Sequence, residues 1–215
     1  MTQIIAFQAT SGIVVATDSR AVVVGENGES ELRVVNKVFR LTPHVAMVAG
    51  GAGKGLLVCQ RYQKHVADKG LIDFEEILFT GVAFLRAELA ALARDPAYKP
   101  TRPELERLYI LIAGHDPGNP ERPYRIVMLG SDHLDDPLRI IPVTHALAIP
   151  RQMALEYRLA RTDPETANLP ALETNFEKTL TRMSKESENV APPFHFIRIT
   201  ERGASLRTVG KVNHS

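Results

Sequence analysis

Residues 2–20 read Thr2-Gln3-Ile4-Ile5-Ala6-Phe7-Gln8-Ala9-Thr10-Ser11-Gly12-Ile13-Val14-Val15-Ala16-Thr17-Asp18-Ser19-Arg20, and their pattern governs how the rest of the chain is read. Two short apolar runs, Ile4 to Phe7 and Ile13 to Ala16, flank the turn-forming Thr10-Ser11-Gly12, which predicts a β-hairpin. The runs are nearly continuous rather than alternating, so strands covered on both faces are expected. Removal of Met1 would leave a threonine at the head of the first strand. Such a terminus combines a hydroxyl nucleophile with an α-amine whose ordinary pKa is about 7.7–8.0, near enough to neutrality to act as its base. Asp18 and Arg20 close the second run, so the hairpin carries an acid and a cation back toward the chain start. Thr2 is therefore a candidate catalyst.

The 215 residues are read as one domain, 1–215, with 44% hydrophobic and 24% charged residues, an ordinary balance for a chain with an apolar core. A net charge of +1 and no run of Lys and Arg give no overall attraction to nucleic acid or membrane. Cys59 is the only cysteine, which excludes an intrachain disulfide and fits a reducing, cytoplasmic compartment. A basic segment followed by a sustained apolar run, the mark of a secretory signal, is not read at the start, and no apolar stretch approaches the ~20 residues that span a bilayer.

Outward from the hairpin, residues 21–33 read as an exposed loop, with Gly25 and Gly28 amid charges. Val34 to Leu41 and Val45 to Ala49 read as a second strand pair around Thr42-Pro43-His44. Gly50-Gly51-Ala52-Gly53-Lys54-Gly55 leads into a helix with Leu56, Cys59, Tyr62 and Val66 on one face and Gly70 as its stop. Asp73 and Glu76 start a second helix in the manner of a capping box, with Ile77, Phe84, Leu85, Leu89 and Leu92 inward and an end before Asp95-Pro96. Residues 95–104, with three prolines, read as a loop. Strands are expected at Leu108 to Ala113 and Tyr124 to Leu129, then a pair of short strands at Leu138 to Ile141 and Thr144 to Ile149. Pro150 is expected to open a third helix through Arg161, and Thr162-Asp163-Pro164-Glu165 a fourth carrying Leu172, Phe176, Leu180 and Met183. A hairpin of Phe194 to Thr200 and Ser205 to Val209 closes the chain. Strands and paired helices in this order predict an α+β fold of two packed, mainly antiparallel sheets flanked by helical layers.

Four pieces of the first quarter bear a family resemblance: Thr2 leading the first strand, Ala16-Thr17-Asp18-Ser19-Arg20, Asn36-Lys37-Val38-Phe39, and Val48-Ala49-Gly50-Gly51-Ala52-Gly53. Together they resemble the proteasome β-subunit and HslV-like family of N-terminal nucleophile hydrolases. Tyr109 to Asp116 with Pro123-Tyr124-Arg125-Ile126 is similar to the family's central strand pair. The resemblance implies a four-layer αββα sandwich and a threonine-type endopeptidase. By it, Thr2 is nucleophile and base, Asp18 and Lys37 are its charge pair, Gly50 is the oxyanion donor and Arg20 a supporting contact. It also places Val48 and Ala52 in the substrate pocket. A homo-oligomeric ring, protein or peptide substrates and an ATP-driven unfoldase partner are implied; no cofactor is. The chain departs from the family at two later motifs, where Val143 to Leu147 and Glu186 to Val190 replace small-residue and Asp-x-x-Ser-Gly segments.

The implied roles are chemically coherent. A threonine hydroxyl does not ionise near neutrality and needs a base within hydrogen-bond reach. A lysine ammonium nearby disfavours protonation of the α-amine and stabilises a developing alkoxide. A buried ammonium itself needs a partner, which Asp18 supplies. The Gly50 N–H, unshielded by a side chain, suits an oxyanion. With Met1 attached the amine is an amide and no base, so the chemistry belongs to the processed chain. Taken one by one, these residues also fit a strand start, a surface ion pair, a solvated lysine and a tight turn; their joint order favours the catalytic reading. Two rivals remain open, an inactive structural subunit of the same fold and an N-terminal nucleophile amidase acting on a small amide.

Other motifs carry less. Gly50 to Gly55 fails as a phosphate-binding loop, since Gly55 follows Lys54 and Val48 stands where the first glycine belongs. Asp132-His133-Leu134-Asp135-Asp136 reads as an acidic turn, His44, His65, His115, His145 and His195 lack metal-ligand spacing, and Cys59 reads as packing.

Overall fold

The computed structural model describes residues 2–24, 29–95, 107–133 and 136–210. Met1, residues 25–28 of the predicted loop, residues 96–104 of the proline-rich segment and Leu134-Asp135 of the acidic turn lie outside the described residues. The opening hairpin forms as expected: β1 (Ile4–Ala9) pairs with β2 (Gly12–Thr17) from Ile4↔Thr17 to Ala9↔Gly12. Gly12 has φ +150°, and a Cβ there would stand 2.4 Å from the Ile199 carbonyl oxygen, so the turn requires glycine.

The exposed loop predicted for residues 21–33 is instead largely strand. β3 (Arg20–Val24) and β4 (Ser30–Val34) pair antiparallel as a two-stranded sheet. The glycines and charges that suggested a loop sit between two β-favouring stretches, Val22-Val23-Val24 and Leu32-Arg33-Val34. The next pair is β5 (Val38–Arg40) with β6 (Val45–Gly51), followed by α1 (Lys54–Lys69) and α2 (Phe74–Arg94). Gly70 ends α1 in the left-handed conformation, φ 64°, and the Asp73 carboxylate caps α2 by accepting from the Glu76 N–H at 3.0 Å.

β7 (Leu108–His115) and β8 (Tyr124–Ser131) form the long central pair, and β11 (Phe194–Thr200) with β12 (Gly203–Val209) the last hairpin. The two short strands between do not pair with each other as predicted. β9 (Arg139–Ile141) joins β8, whereas β10 (Ala146–Ile149) joins β1. Pro142, lacking an N–H, interrupts the run, and the chain crosses from one sheet to the other. Both later helices start downstream of the predicted points. α3 (Met153–Ala160) begins three residues after Pro150, and α4 (Leu169–Glu186) is capped by Asn168, which accepts from the Ala171 N–H at 2.9 Å. Asp163 makes a turn instead, accepting from the Glu165 N–H and the Thr166 hydroxyl, each at 3.0 Å.

One five-stranded sheet runs β10-β1-β2-β11-β12 and the other β5-β6-β7-β8-β9, every pairing antiparallel. The chain is thus α+β, with four helices among the described residues. Period-two alternation explains the continuous apolar runs. Ile4, Ala6, Ile13 and Val15 face Val48, Leu111 and Met128 of the other sheet. Ile5, Phe7, Val14 and Ala16 face Leu155, Leu172, Phe176 and Leu180 of α3 and α4. Met47, Ile110 and Ile112, on the outer side of the second sheet, pack on Val58, Cys59 and Tyr62 of α1 and Ile77 and Leu85 of α2. No described helix is long and apolar enough to cross a membrane.

At the Val45 end of β6, the Ala204 N–H donates to the Pro43 carbonyl at 2.7 Å and so joins the two sheets' turns. His44 and His115 meet there with ring centroids 5.6 Å apart, and the Nδ1 of each is buried without a partner. Burial first, then His44, holds the His115 imidazole below its ordinary range, with Asp116 and Glu201 pulling the other way. A histidine so lowered binds fewer protons folded than unfolded, so its contribution is intact above about pH 6.5 and lost as pH falls below it. Urea unfolding should therefore show a lower midpoint at about pH 5.5 than at about 7.5, and His115→Gln should narrow that difference. An undiminished difference in the variant would remove His115 from the account.

Candidate active site

The structure brings three of the candidate residues, Asp18, Lys37 and Arg20, together at one carboxylate. The Gln3 N–H, immediately after Thr2, donates to Asp18 Oδ1 at 2.8 Å. The same oxygen accepts from Lys37 Nζ at 2.9 Å, and Oδ2 accepts from the Arg20 N–H at 2.8 Å. Lys37 Nζ also donates to the Arg20 carbonyl at 2.6 Å. The pair is sealed from water, with the Lys37 and Asp18 side chains 2% and 0% exposed. Thr2 itself is 7% exposed.

Local folding explains the assembly. The hairpin register sets Thr17 opposite Ile4, so Asp18 and Gln3 emerge side by side, and the Asp18 N–H closes back on the Gln3 carbonyl at 3.3 Å. Lys37 arrives on the link between β4 and β5, where its carbonyl accepts from the Ala49 N–H at 3.0 Å and anchors it to β6. Gly50 follows on β6, and a Cβ there would stand 2.9 Å from Ile4 Cδ1 and 3.5 Å from Thr2 Cγ2. The bare Gly50 backbone is thus placed against Thr2. Gly51, with φ +87°, would set a Cβ 2.1 Å from the Arg107 carbonyl oxygen, which fixes glycine at the end of this strand.

Burial pushes the Lys37 ammonium below the usual lysine range, and the charge and hydrogen bond of Asp18 oppose that shift. Two charges this deep are stable only as a hydrogen-bonded pair. A cation fixed here lowers the proton affinity of an adjacent amine and favours an adjacent alkoxide.

The remaining candidates fall out differently. Arg20 contributes through its main chain, while its guanidinium Nε is buried without a hydrogen-bond partner. Val48 lies in the core between the sheets and Ala52 in the core under α1 and α2, both almost wholly buried. Ser187, in the segment that departs from the family, accepts from the Asn189 N–H at 3.2 Å. His145 packs edge-on against Phe7, further along β1. Cys59 is fully buried and its thiol is pushed well up by burial, which makes it a packing residue. Among the described residues no group of three or more His, Cys, Asp and Glu gathers to hold a metal.

Two neighbours escaped the sequence reading. Ser19 is buried between the carboxylate and the segment after α4: its N–H donates to the Ala191 carbonyl at 3.2 Å, its hydroxyl to the Pro193 carbonyl, and its carbonyl accepts from the Val35 N–H at 2.8 Å. His195 stands directly opposite Thr17 on β11. The signal for His195 was in the period of its strand, since His195, Ile197 and Ile199 share a face and only the first is polar. Two surface hollows lie elsewhere. One, of about 380 Å³, sits between α3 and α4 over Leu155 and Phe176, and the other, of about 860 Å³, lies beside Ser11 and Arg202; Thr2 lines neither.

Comparison of the chain with protein-family models finds no match, and comparison with curated proteins finds none either.

Proposed function

We propose that the processed chain is a threonine-type N-terminal nucleophile hydrolase that cleaves peptide bonds, with the four-layer αββα architecture of the proteasome β-subunit and HslV-like family. The observation that carries this reading is the single carboxylate oxygen of Asp18 shared by the Gln3 N–H and Lys37 Nζ, which ties the chain start to a buried cation.

In this reading the Thr2 hydroxyl attacks the scissile carbonyl while the α-amine, directly or through a water, takes its proton. Lys37 keeps that amine neutral part of the time and stabilises the alkoxide, and Asp18 holds Lys37 charged. The Gly50 N–H faces the oxyanion. Collapse of the tetrahedral intermediate passes the proton to the leaving amine and leaves an ester on Thr2, which water hydrolyses to the acid and free hydroxyl. A homo-oligomeric ring in the cytoplasm, fed with polypeptide by an ATP-driven unfoldase, is the setting that the resemblance suggests.

A second reading, an inactive structural subunit, is favoured by the departure of residues 186–190 from the family's Asp-x-x-Ser-Gly segment. Incubation of Met1-free protein with an epoxyketone or β-lactone probe separates the two. Peptide mapping by mass spectrometry is expected to place one adduct on Thr2. An unmodified chain, with Met1 removal verified by intact mass, favours the inactive subunit, and turnover of one small amide without peptide cleavage favours an amidase.

A further inference from the structure

β11 enters its sheet beside β2, and the register sets five residues in one row across the strands: Ile149, Ile4, Thr17, His195 and Thr208. Directly opposed residues share a face of the sheet. Ile4 and Ile149 belong to the apolar core between the sheets, as do Ile197 and Ile199 further along β11. His195 therefore continues that core-facing row at the end where the apolar residues stop. Beside it come Thr17 and then the Asp18–Lys37 pair.

The imidazole is half-buried, and its Nδ1 lies 3.1 Å from Thr208 Oγ1. Burial most strongly opposes its protonation; the Lys37 ammonium opposes it too, and the Asp18 carboxylate favours it. Among the described residues, these two are the charged groups that act on the ring, Asp18 from just after β2 and Lys37 from the link before β5. From β12 its neighbour is the uncharged Thr208, while Arg198 and Arg207 turn to Glu173 and Glu177 of α4 on the outer face.

We infer that His195 is a positioning residue of the Thr2 centre, whose neutral ring, set opposite Thr17, keeps a second positive charge away from the neighbouring Asp18–Lys37 pair. This rests on the hydrolase reading above. An imidazolium in that place would repel the Lys37 ammonium and compete for the Asp18 carboxylate that holds Gln3 and Lys37 together. Neutral His195 adds no further charge beside Lys37.

Two substitutions test this. His195→Asn keeps a neutral polar group near the Nδ1 position opposite Thr208, and His195→Lys places a lasting charge there. The lysine variant is expected to slow acylation of Thr2 by about tenfold or more at neutral pH with KM unchanged. The asparagine variant, neutral but smaller than the ring, is expected to be slowed clearly less than the lysine variant and to lose the histidine inflection on the acid side of the pH profile. Acylation of the lysine variant at the parent rate, or an equal loss in both variants, overturns the inference.

A readout free of activity is the NMR titration of the His195 ring in the Lys37→Met, Asp18→Asn double variant, which removes the pair without stranding either charge. Lys37 opposes protonation of the ring and Asp18 favours it, and a pair that keeps the ring neutral should, once removed, let the ring's ionisation move up; an unmoved or lowered titration rejects that net effect. If Thr2 is never acylated although the ring follows the pair, the hydrolase reading falls and takes the catalytic role of His195 with it. If Thr2 is acylated and the ring ignores the pair, only the inference falls.

Discussion

Thr2→Ala in the Met1-free chain is expected to abolish covalent labelling and peptide cleavage, a fall of about 10³-fold or more, with unfolding free energy changed by about 1 kcal/mol or less. The loss should be this complete because the nearby hydroxyls are committed elsewhere. The Thr17 hydroxyl donates to the Asp18 carbonyl at 3.2 Å and that of Ser19 to the Pro193 carbonyl, so neither replaces the missing nucleophile. Stability should hardly change because the variant removes a small side chain from the head of the strand while the Gln3–Asp18 bond remains. Thr2→Ser retains a hydroxyl and an amine and should keep measurable acylation. Probe labelling beside urea unfolding separates the two quantities. Full labelling of the alanine variant would remove Thr2 from the chemistry.

Lys37→Met is expected to be the most destabilising of these substitutions, at about 3–5 kcal/mol. It leaves the Asp18 carboxylate buried, with only the Gln3 and Arg20 N–H groups to hold its charge. Asp18→Asn strands the ammonium in the same way, with the Arg20 carbonyl its remaining partner. The double variant should cost clearly less than the sum of the singles, because a buried ion pair replaced whole leaves no uncompensated charge. All three should lose acylation of Thr2, so the pair's structural and chemical roles diverge in the double variant, restored toward the parent in stability and still inactive. Additive stability losses would show that the two groups do not act as a pair.

Much of the fold is legible locally. Gly12 and Gly70 sit where the backbone demands glycine, Asp73 caps the helix its spacing announces, and the runs at Ile4 and Ile13 form strands covered on both faces. What escapes is partnership at long range. A period of two tells which face a residue occupies but not which strand lies beside it, so the short strands at Leu138 to Ile141 and Thr144 to Ile149 were read as a pair although they belong to different sheets. The Asp163 segment read as the start of the fourth helix makes a turn, and Asn168 caps α4 where Leu169, Leu172 and Phe176 pack on the sheet. The site divides in the same way. Thr2, Asp18, Lys37 and Gly50 were named from sequence; hydrogen bonds join Asp18 to Lys37 and to Gln3, the residue after Thr2, and Gly50 lies beside Thr2. Ser19 and His195 become visible only when β11 docks against β2.

That docking also sets the order of assembly. β11 lies far downstream of β2 in the chain, yet it supplies the strand that pairs with residues 13–17, and the preceding segment ties down Ser19. Closing such a large loop is slow relative to forming the opening hairpin. A nascent chain still on the ribosome, with the last strands unsynthesised, carries the hairpin but lacks the wall that encloses Asp18 and Lys37. On the proposed hydrolase reading, acylation of Thr2 is thereby deferred until synthesis has passed the final hairpin.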